Sequence, residues 1–142
     1  MKVQEVLENY NLYKARISMA EAEINDIRNE ITDIRSANLD GMPKAKGYVE
    51  SNIEKQIVER EEKVEEKERY IRELSSKLKI VEDLVKILKK YNQDIIEMRY
   101  YSMMSIEEIA TRKDKTYGAI KKALDRSIGK MQREYNRNKR VS

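Results

Sequence analysis

Hydrophobic residues recur through the first third of the chain with a period that a helix aligns on one face. Val3, Val6, Tyr10, Tyr13, Ile17, Ala20, Ile24, Ile27, Ile31 and Ile34 alternate spacings of three and four, the mark of a coiled-coil seam. The helix this predicts, about 35 residues, is roughly 50 Å long at ~1.5 Å per residue. It ends in the loop 38–47, where Gly41, Pro43 and Gly47 prevent continuation. A second helix is predicted from about Tyr48 to Lys90, with Ile53, Ile57, Val64, Ile71, Leu74, Leu78, Val81, Val85 and Leu88 on a seam of the same period.

Folding the chain back at the loop sets Ile57 beside Ile31, Ile71 beside Ile17, Leu78 beside Tyr10 and Val85 beside Val3. The register closes over the whole length, so the expected fold is all-α, opening with a long antiparallel helical hairpin of coiled-coil type over residues 1–90. A parallel homodimeric coiled coil is the alternative. Arg60 and Lys67 interrupt the second seam opposite Ile27 and Ala20; they can lay aliphatic stems along the interface and carry their charges outward. Leu12, Met19, Tyr70, Ile80, Leu84 and Ile87 lie partly off the seam, and this leftover apolar surface predicts a homodimer through the hairpin.

Residues 91–142 change character. Ile95, Ile96, Met98, Tyr100, Met103 and Met104 form an apolar cluster expected to pack beneath the C-terminal helices. Ser105-Ile106-Glu107-Glu108 then announces a short helix, with Ser105 as N-cap, Glu108 returning the bond, and Ile106, Ile109 and Ala110 as its apolar face. Arg112-Lys113-Asp114-Lys115 has no apolar residue to extend that face, so a tight polar turn is predicted there. Thr116 caps a further helix in which Ile120, Leu124 and Ile128 recur at four-residue spacing. Its other faces are mostly basic.

Arg99-Tyr100, Ser105, Glu107-Glu108-Ile109-Ala110, Gly118, Ile120-Lys121, Leu124, Arg126 and Lys130-Met131 occur in ungapped order. In this the segment resembles the promoter-binding C-terminal helix-turn-helix of bacterial sigma factors, their region four. The layout of a charged helical hairpin followed by such a module is similar to phage and prophage transcription regulators of the ArpU-like and RinA-like kind. The turn departs from the sigma pattern, which usually carries apolar residues and a Gly there, and no segment resembling the promoter-melting region lies upstream.

The resemblance implies a DNA-binding transcription regulator with double-stranded DNA as partner and RNA polymerase as a candidate further one. At matched positions it implies DNA contacts by Thr116, Tyr117, Gly118, Lys121 and Lys122. Thr116 and the helix N-terminus would meet a phosphate, Tyr117 a sugar or thymine methyl, and the lysines the groove one turn later. Gly118 would permit close approach. Arg112, Lys113, Lys115 and Arg126 are assigned to the DNA backbone. Arg133, Arg137, Lys139 and Arg140 continue the basic stripe into a tail expected to fray.

Composition narrows the function further. Of 142 residues, 39% are charged, which favours long solvated helices over a compact globule. No Cys is present for thiol chemistry and no His for general-base or metal-ligand roles, so no enzyme activity, metal or cofactor is expected. The carboxylates sit in helical patterns of alternating sign, better explained as a solvated face than as a catalytic pair. No apolar run approaches the ~20 residues that span a bilayer, and MKVQEVLENY has no signal-peptide core, so no membrane partner and a cytoplasmic location are expected.

The net charge of +4 hides an asymmetry: residues 99–142 hold 12 Lys and Arg against 5 Asp and Glu, while residues 1–98 hold 18 against 21. Positive charge concentrated on the candidate reader favours a polyanion through counterion release. Two other functions fit the same parts. A phage DNA-packaging component of the small-terminase kind also joins helical oligomerisation to DNA binding, and a coiled-coil scaffold could bind DNA without sequence preference.

Overall fold

The computed structural model describes residues 1–39 and 48–141, and among them every regular element is helical. In chain order these are α1 (Val3–Glu8), α2 (Tyr10–Leu39), α3 (Tyr48–Lys86), α4 (Lys90–Ile96), a π-helical turn (Glu97–Tyr101), α5 (Ile106–Lys113) and α6 (Tyr117–Val141). The expected loop 38–47 overlaps the end of α2, which is helical through Leu39; the remainder lies outside the described residues. No described helix is long and apolar enough to cross a membrane.

Two compact units divide the chain differently from a boundary at residue 90. One comprises Met1–Lys14 with Ser75–Ser142, the other Ala15–Leu74. The reason is packing: residues 1–14 and the last turns of α3 bury their apolar side chains in the unit that contains α4, α5 and α6, so one periodic seam serves two bodies.

In the unit Ala15–Leu74, Ala20, Ile24, Ile31, Val64 and Leu74 are buried, and Ile17, Ile27, Ile34, Ile53, Ile57 and Ile71 are half-buried. Cross-helix ion pairs flank them. Arg28 meets Glu68 at 2.8 Å, Arg60 meets Glu30 at 3.0 Å, Arg35 meets Glu61 at 3.4 Å, and Lys67 meets Glu23. Arg60 and Lys67, the seam interruptions, thus turn their charges to carboxylates at the rim, as their long stems allow. Such exposed pairs each contribute at most about 1 kcal/mol, so they set partner choice more than stability. Met19, Val58 and Tyr70 stay exposed.

The other unit holds a fuller core. Val3, Leu7, Val81, Ile95, Ile96, Ile109, Ile120 and Met131 are all but sealed from solvent. At roughly 1.5–3 kcal/mol for each large aliphatic side chain, this burial is the main favourable contribution to the unit. α6 packs against α1, α4 and α5. Leu84, expected off the seam, is buried as well, whereas Leu12 and Ile87 are exposed.

Three departures from a simple two-helix reading occur here. The first predicted helix breaks at Asn9, whose side-chain amide donates to the Glu5 carbonyl at 2.8 Å and competes with the regular ladder. The second stops at Lys86 instead of Lys90: Lys89 is extended, and the Gln93 side chain donates to the Leu88 and Lys86 carbonyls, satisfying groups that the lost turn would leave open. After α4 the helix widens into the π turn. Its carbonyls at Tyr100 and Tyr101 accept from Asn11 Nδ2, both at 3.2 Å, and Arg99 closes onto the Met104 carbonyl at 3.0 Å.

Met103, expected in the apolar cluster, is instead 72% exposed with a positive φ of 57°. Tyr100 and Tyr101 do pack. Tyr101 stacks on Tyr10 with ring centroids 4.1 Å apart, and Tyr10 donates to Glu82 at 2.9 Å. Burial and the Glu82 contact push the Tyr10 phenol up to about 12, and burial raises Tyr101 and Tyr100 also.

Candidate nucleic-acid interface

α5 begins as its sequence dictates. Ser105 is extended, its hydroxyl oxygen accepts from the Glu108 N–H at 3.1 Å, and the same hydroxyl donates to the Glu108 carboxylate at 3.1 Å. The reciprocal bond therefore runs between the two side chains. Glu107 and Glu108 occupy the first turn and Arg112 and Lys113 the last, matching the helix dipole at both ends.

The polar stretch Arg112–Lys115 is not all turn. Arg112 and Lys113 complete α5, and Asp114 alone takes the left-handed conformation at φ 53° and ψ 51°. Its N–H donates to Thr111 at 3.3 Å and the Lys115 N–H to Ala110 at 2.9 Å, the paired bonds of a Schellman ending. Asp114 thus stands where a Gly is usual, a position that Asp tolerates better than most residues.

α6 then starts on Thr116, whose hydroxyl oxygen accepts from the Ala119 N–H at 3.1 Å and whose carbonyl accepts from Ile120 at 3.1 Å. The N–H groups of Tyr117 and Gly118 have no partner among the described residues and face outward with the positive end of the helix dipole. A Cβ added at Gly118 would meet nothing within 4 Å. No internal packing explains this glycine.

The buried stripe of α6 runs Ile120, Leu124, Ser127 and Met131, with Ile128 only half-buried. Unbroken four-residue spacing drifts around a helix of 3.6 residues per turn, so the stripe that stays on one face must mix threes and fours. This fixes the exposed side. Lys122 lies away from the stripe on the side shared with Arg126 and Arg133, while Lys121, about 100° from its neighbour, shares a side with Asp125.

The expected contact residues accordingly separate. Thr116, Tyr117, Gly118, Lys121 and Lys122 are all exposed within the first two turns of α6, Tyr117 on the side of Lys121 and Gly118 on the side of Lys122, and Tyr117 is 47% exposed. Arg112, Lys115 and Arg126 are exposed and make no ion pair among the described residues. Lys113 is turned elsewhere: half-buried, it meets Asp94 at 3.4 Å and lies 5.4 Å above the Tyr91 ring. Lys90 also holds Asp94, and the hydrogen bonds from Lys90 and Lys113 keep its carboxyl below the usual range.

No family model matches this chain, and no curated protein or solved structure does. Among the described residues no cluster of His, Cys, Asp and Glu could hold a metal ion.

Sequence reasoning missed Gln132. Its Oε1 accepts from the Val3 N–H at 2.8 Å and its Nε2 donates to the Met1 carbonyl at 3.1 Å, tying α6 to Met1 and the first residue of α1. No local signal marks it, since a glutamine on a polar helix face looks solvated until its partner arrives from far along the chain. The stretch expected to fray is helical, with α6 running to Val141.

Proposed function

We propose that this chain is a sequence-specific, DNA-binding transcription regulator of phage or prophage type, in which α5, the Asp114 turn and α6 form a sigma-like helix-turn-helix. The observation that carries the reading is the start of α6. Two unpartnered N–H groups, a glycine with open space around it, and the exposed Tyr117, Lys121 and Lys122 fall within the first two turns of a helix that also carries a buried stripe. A phosphate fits the helix N-terminus, and the missing Cβ lets a groove wall approach the backbone.

In this reading α2 and α3 form an antiparallel hairpin. Support comes from the ion pairs: Glu23 and Arg28, early in α2, reach Lys67 and Glu68, whereas Glu30 and Arg35, one to two turns later, reach the lower-numbered Arg60 and Glu61. Exposed Met19, Val58 and Tyr70 suit pairing with a second copy, which would present two readers to paired half-sites. RNA polymerase remains a candidate further partner, and the cytoplasm is the location that a DNA-binding role implies.

A gel-shift titration on DNA selected from a random pool tests the proposal. Lys122→Ala should weaken binding and lower the slope of log affinity against log salt by about 1. The pair Lys55→Ala and Lys63→Ala, in the other unit, should change neither. Equal losses from both, or no enriched sequence in the selection, would refute the reading. A ring of many subunits by particle mass would favour a packaging component instead.

A further inference from the structure

Away from the start of α6, one cleft collects cations without any carboxylate. It has a volume of about 320 Å³ between the start of α4 with the turn before it and the middle of α6, and is lined by Leu88, Lys89, Asn92, Arg126, Ser127, Lys130 and Arg133. Lys89, Arg126, Lys130 and Arg133 make no ion pair among the described residues. Elsewhere in this molecule lysines and arginines are repeatedly drawn to nearby acids, as at Asp94, Glu23 and Glu30. Four cations left together with no counter-charge repel one another, and a bound anion relieves that repulsion.

Ser127 supplies a second, independent observation. It is 4% exposed, the one buried polar residue among a stripe of aliphatic ones. Its hydroxyl has no hydrogen-bond partner among the described residues, yet it is not sealed away, because no fully buried side-chain polar atom lacks a partner. The cleft that Ser127 lines is its outlet. The Ser127 hydroxyl, the Asn92 amide and the guanidinium and ammonium groups that line the same cleft form a donor-rich set.

We infer that this cleft binds a phosphate group. The chemistry is that of a multiply charged oxyanion: Arg126 and Arg133 can each present two N–H donors to one phosphate, Lys89 and Lys130 add point charges, and Ser127 and Asn92 supply neutral donors. The phosphate belongs either to a DNA backbone or to a free polyphosphate or nucleotide. The site shares Arg126 with the helix-turn-helix reading, but its other residues, Lys89, Asn92, Ser127, Lys130 and Arg133, take no part in that reading's DNA contacts.

The test uses the full chain labelled with ¹⁵N, titrated with tripolyphosphate at constant ionic strength. Saturable shifts are expected at the amides of Asn92, Ser127 and Lys130. The double variant Arg126→Gln, Lys130→Gln should weaken the apparent affinity at least about tenfold, since each charge-assisted bond lost is worth that much. Arg126→Lys with Lys130→Arg should retain most of it. Absence of shifts, shifts spread evenly over all basic residues, or unchanged affinity in the Gln variant would overturn the inference.

A second arm separates the sources. A selected DNA duplex that displaces tripolyphosphate identifies a backbone phosphate, and simultaneous occupancy identifies a free ligand. Lys122→Ala should impair DNA binding while leaving the tripolyphosphate shifts intact, so failure of the DNA reading and failure of this one are distinguishable.

Discussion

Gly118→Ala separates two things that one residue does. Glycine in a helix is less stable than alanine by roughly 0.5–1 kcal/mol, because it gives up more backbone freedom on folding. Gly118 sits in the first turn of α6, where the lower figure applies, and a Cβ there meets nothing within 4 Å, so no steric term opposes the gain. The variant should therefore be more stable by about 0.5 kcal/mol, raising Tm by about 2 °C for a chain of this size. If a groove wall lies against that backbone, the same methyl should weaken DNA binding about tenfold, equivalent to ~1.4 kcal/mol. Urea unfolding with an unchanged m-value reads the first effect, and a gel-shift titration at fixed salt reads the second. Lower stability would refute the open space around Gly118. Higher stability with unchanged DNA affinity would refute close approach.

Other expectations come from the caps and the buried tyrosines. Ser105→Ala should cost about 1 kcal/mol through loss of the α5 cap, read by thermal unfolding. Asp114→Gly should be neutral or mildly stabilising, whereas Asp114→Val should lose about 1–2 kcal/mol, since a β-branched side chain resists a φ of 53°; equal effects in urea unfolding would refute the left-handed turn. Tyr10 binds its proton more tightly when folded, so its contribution is complete below pH 10 and disappears as pH rises from about 10 to about 12. That loss is on the order of 2–3 kcal/mol and adds to the change from Tyr101, whose phenol burial also raises. Tyr10→Phe should flatten the stability profile in that window, and an unchanged slope would contradict the buried Tyr10–Glu82 bond.

The parts legible in the sequence are those set by local chemistry. The caps at Ser105 and Thr116 depend on one side chain and its own helix, and both are present. The apolar seam is legible too, because helical period and burial agree along most of its length. What escaped is decided by partners distant in sequence. No residue type in Lys86–Lys90 signals a helix stop; the break is marked by Gln93, whose side chain reaches back to the Lys86 and Leu88 carbonyls. The Lys113 side chain reads as a DNA contact until Asp94 and Tyr91 arrive beside it. The turn itself was legible as a polar break, but its extent was not, because Arg112 and Lys113 complete α5 and only Asp114 turns left-handed. The cationic cleft joins residues from two helices and is invisible along either.

The Gln132 clamp has a consequence for the order of assembly. Val3 and Gln132 are separated by 129 positions, yet they share a hydrogen bond in one compact unit. That unit is discontinuous in sequence, and it cannot be complete until residues beyond Gln132 have been made. Closing so long a loop carries an entropy loss that grows with the logarithm of its length, whereas the helices of Ala15–Leu74 require mainly local order. The unit carrying α6 is therefore the later of the two to acquire its native contacts during synthesis, and α1 waits without its hydrogen bond to α6 until Gln132 has left the ribosome.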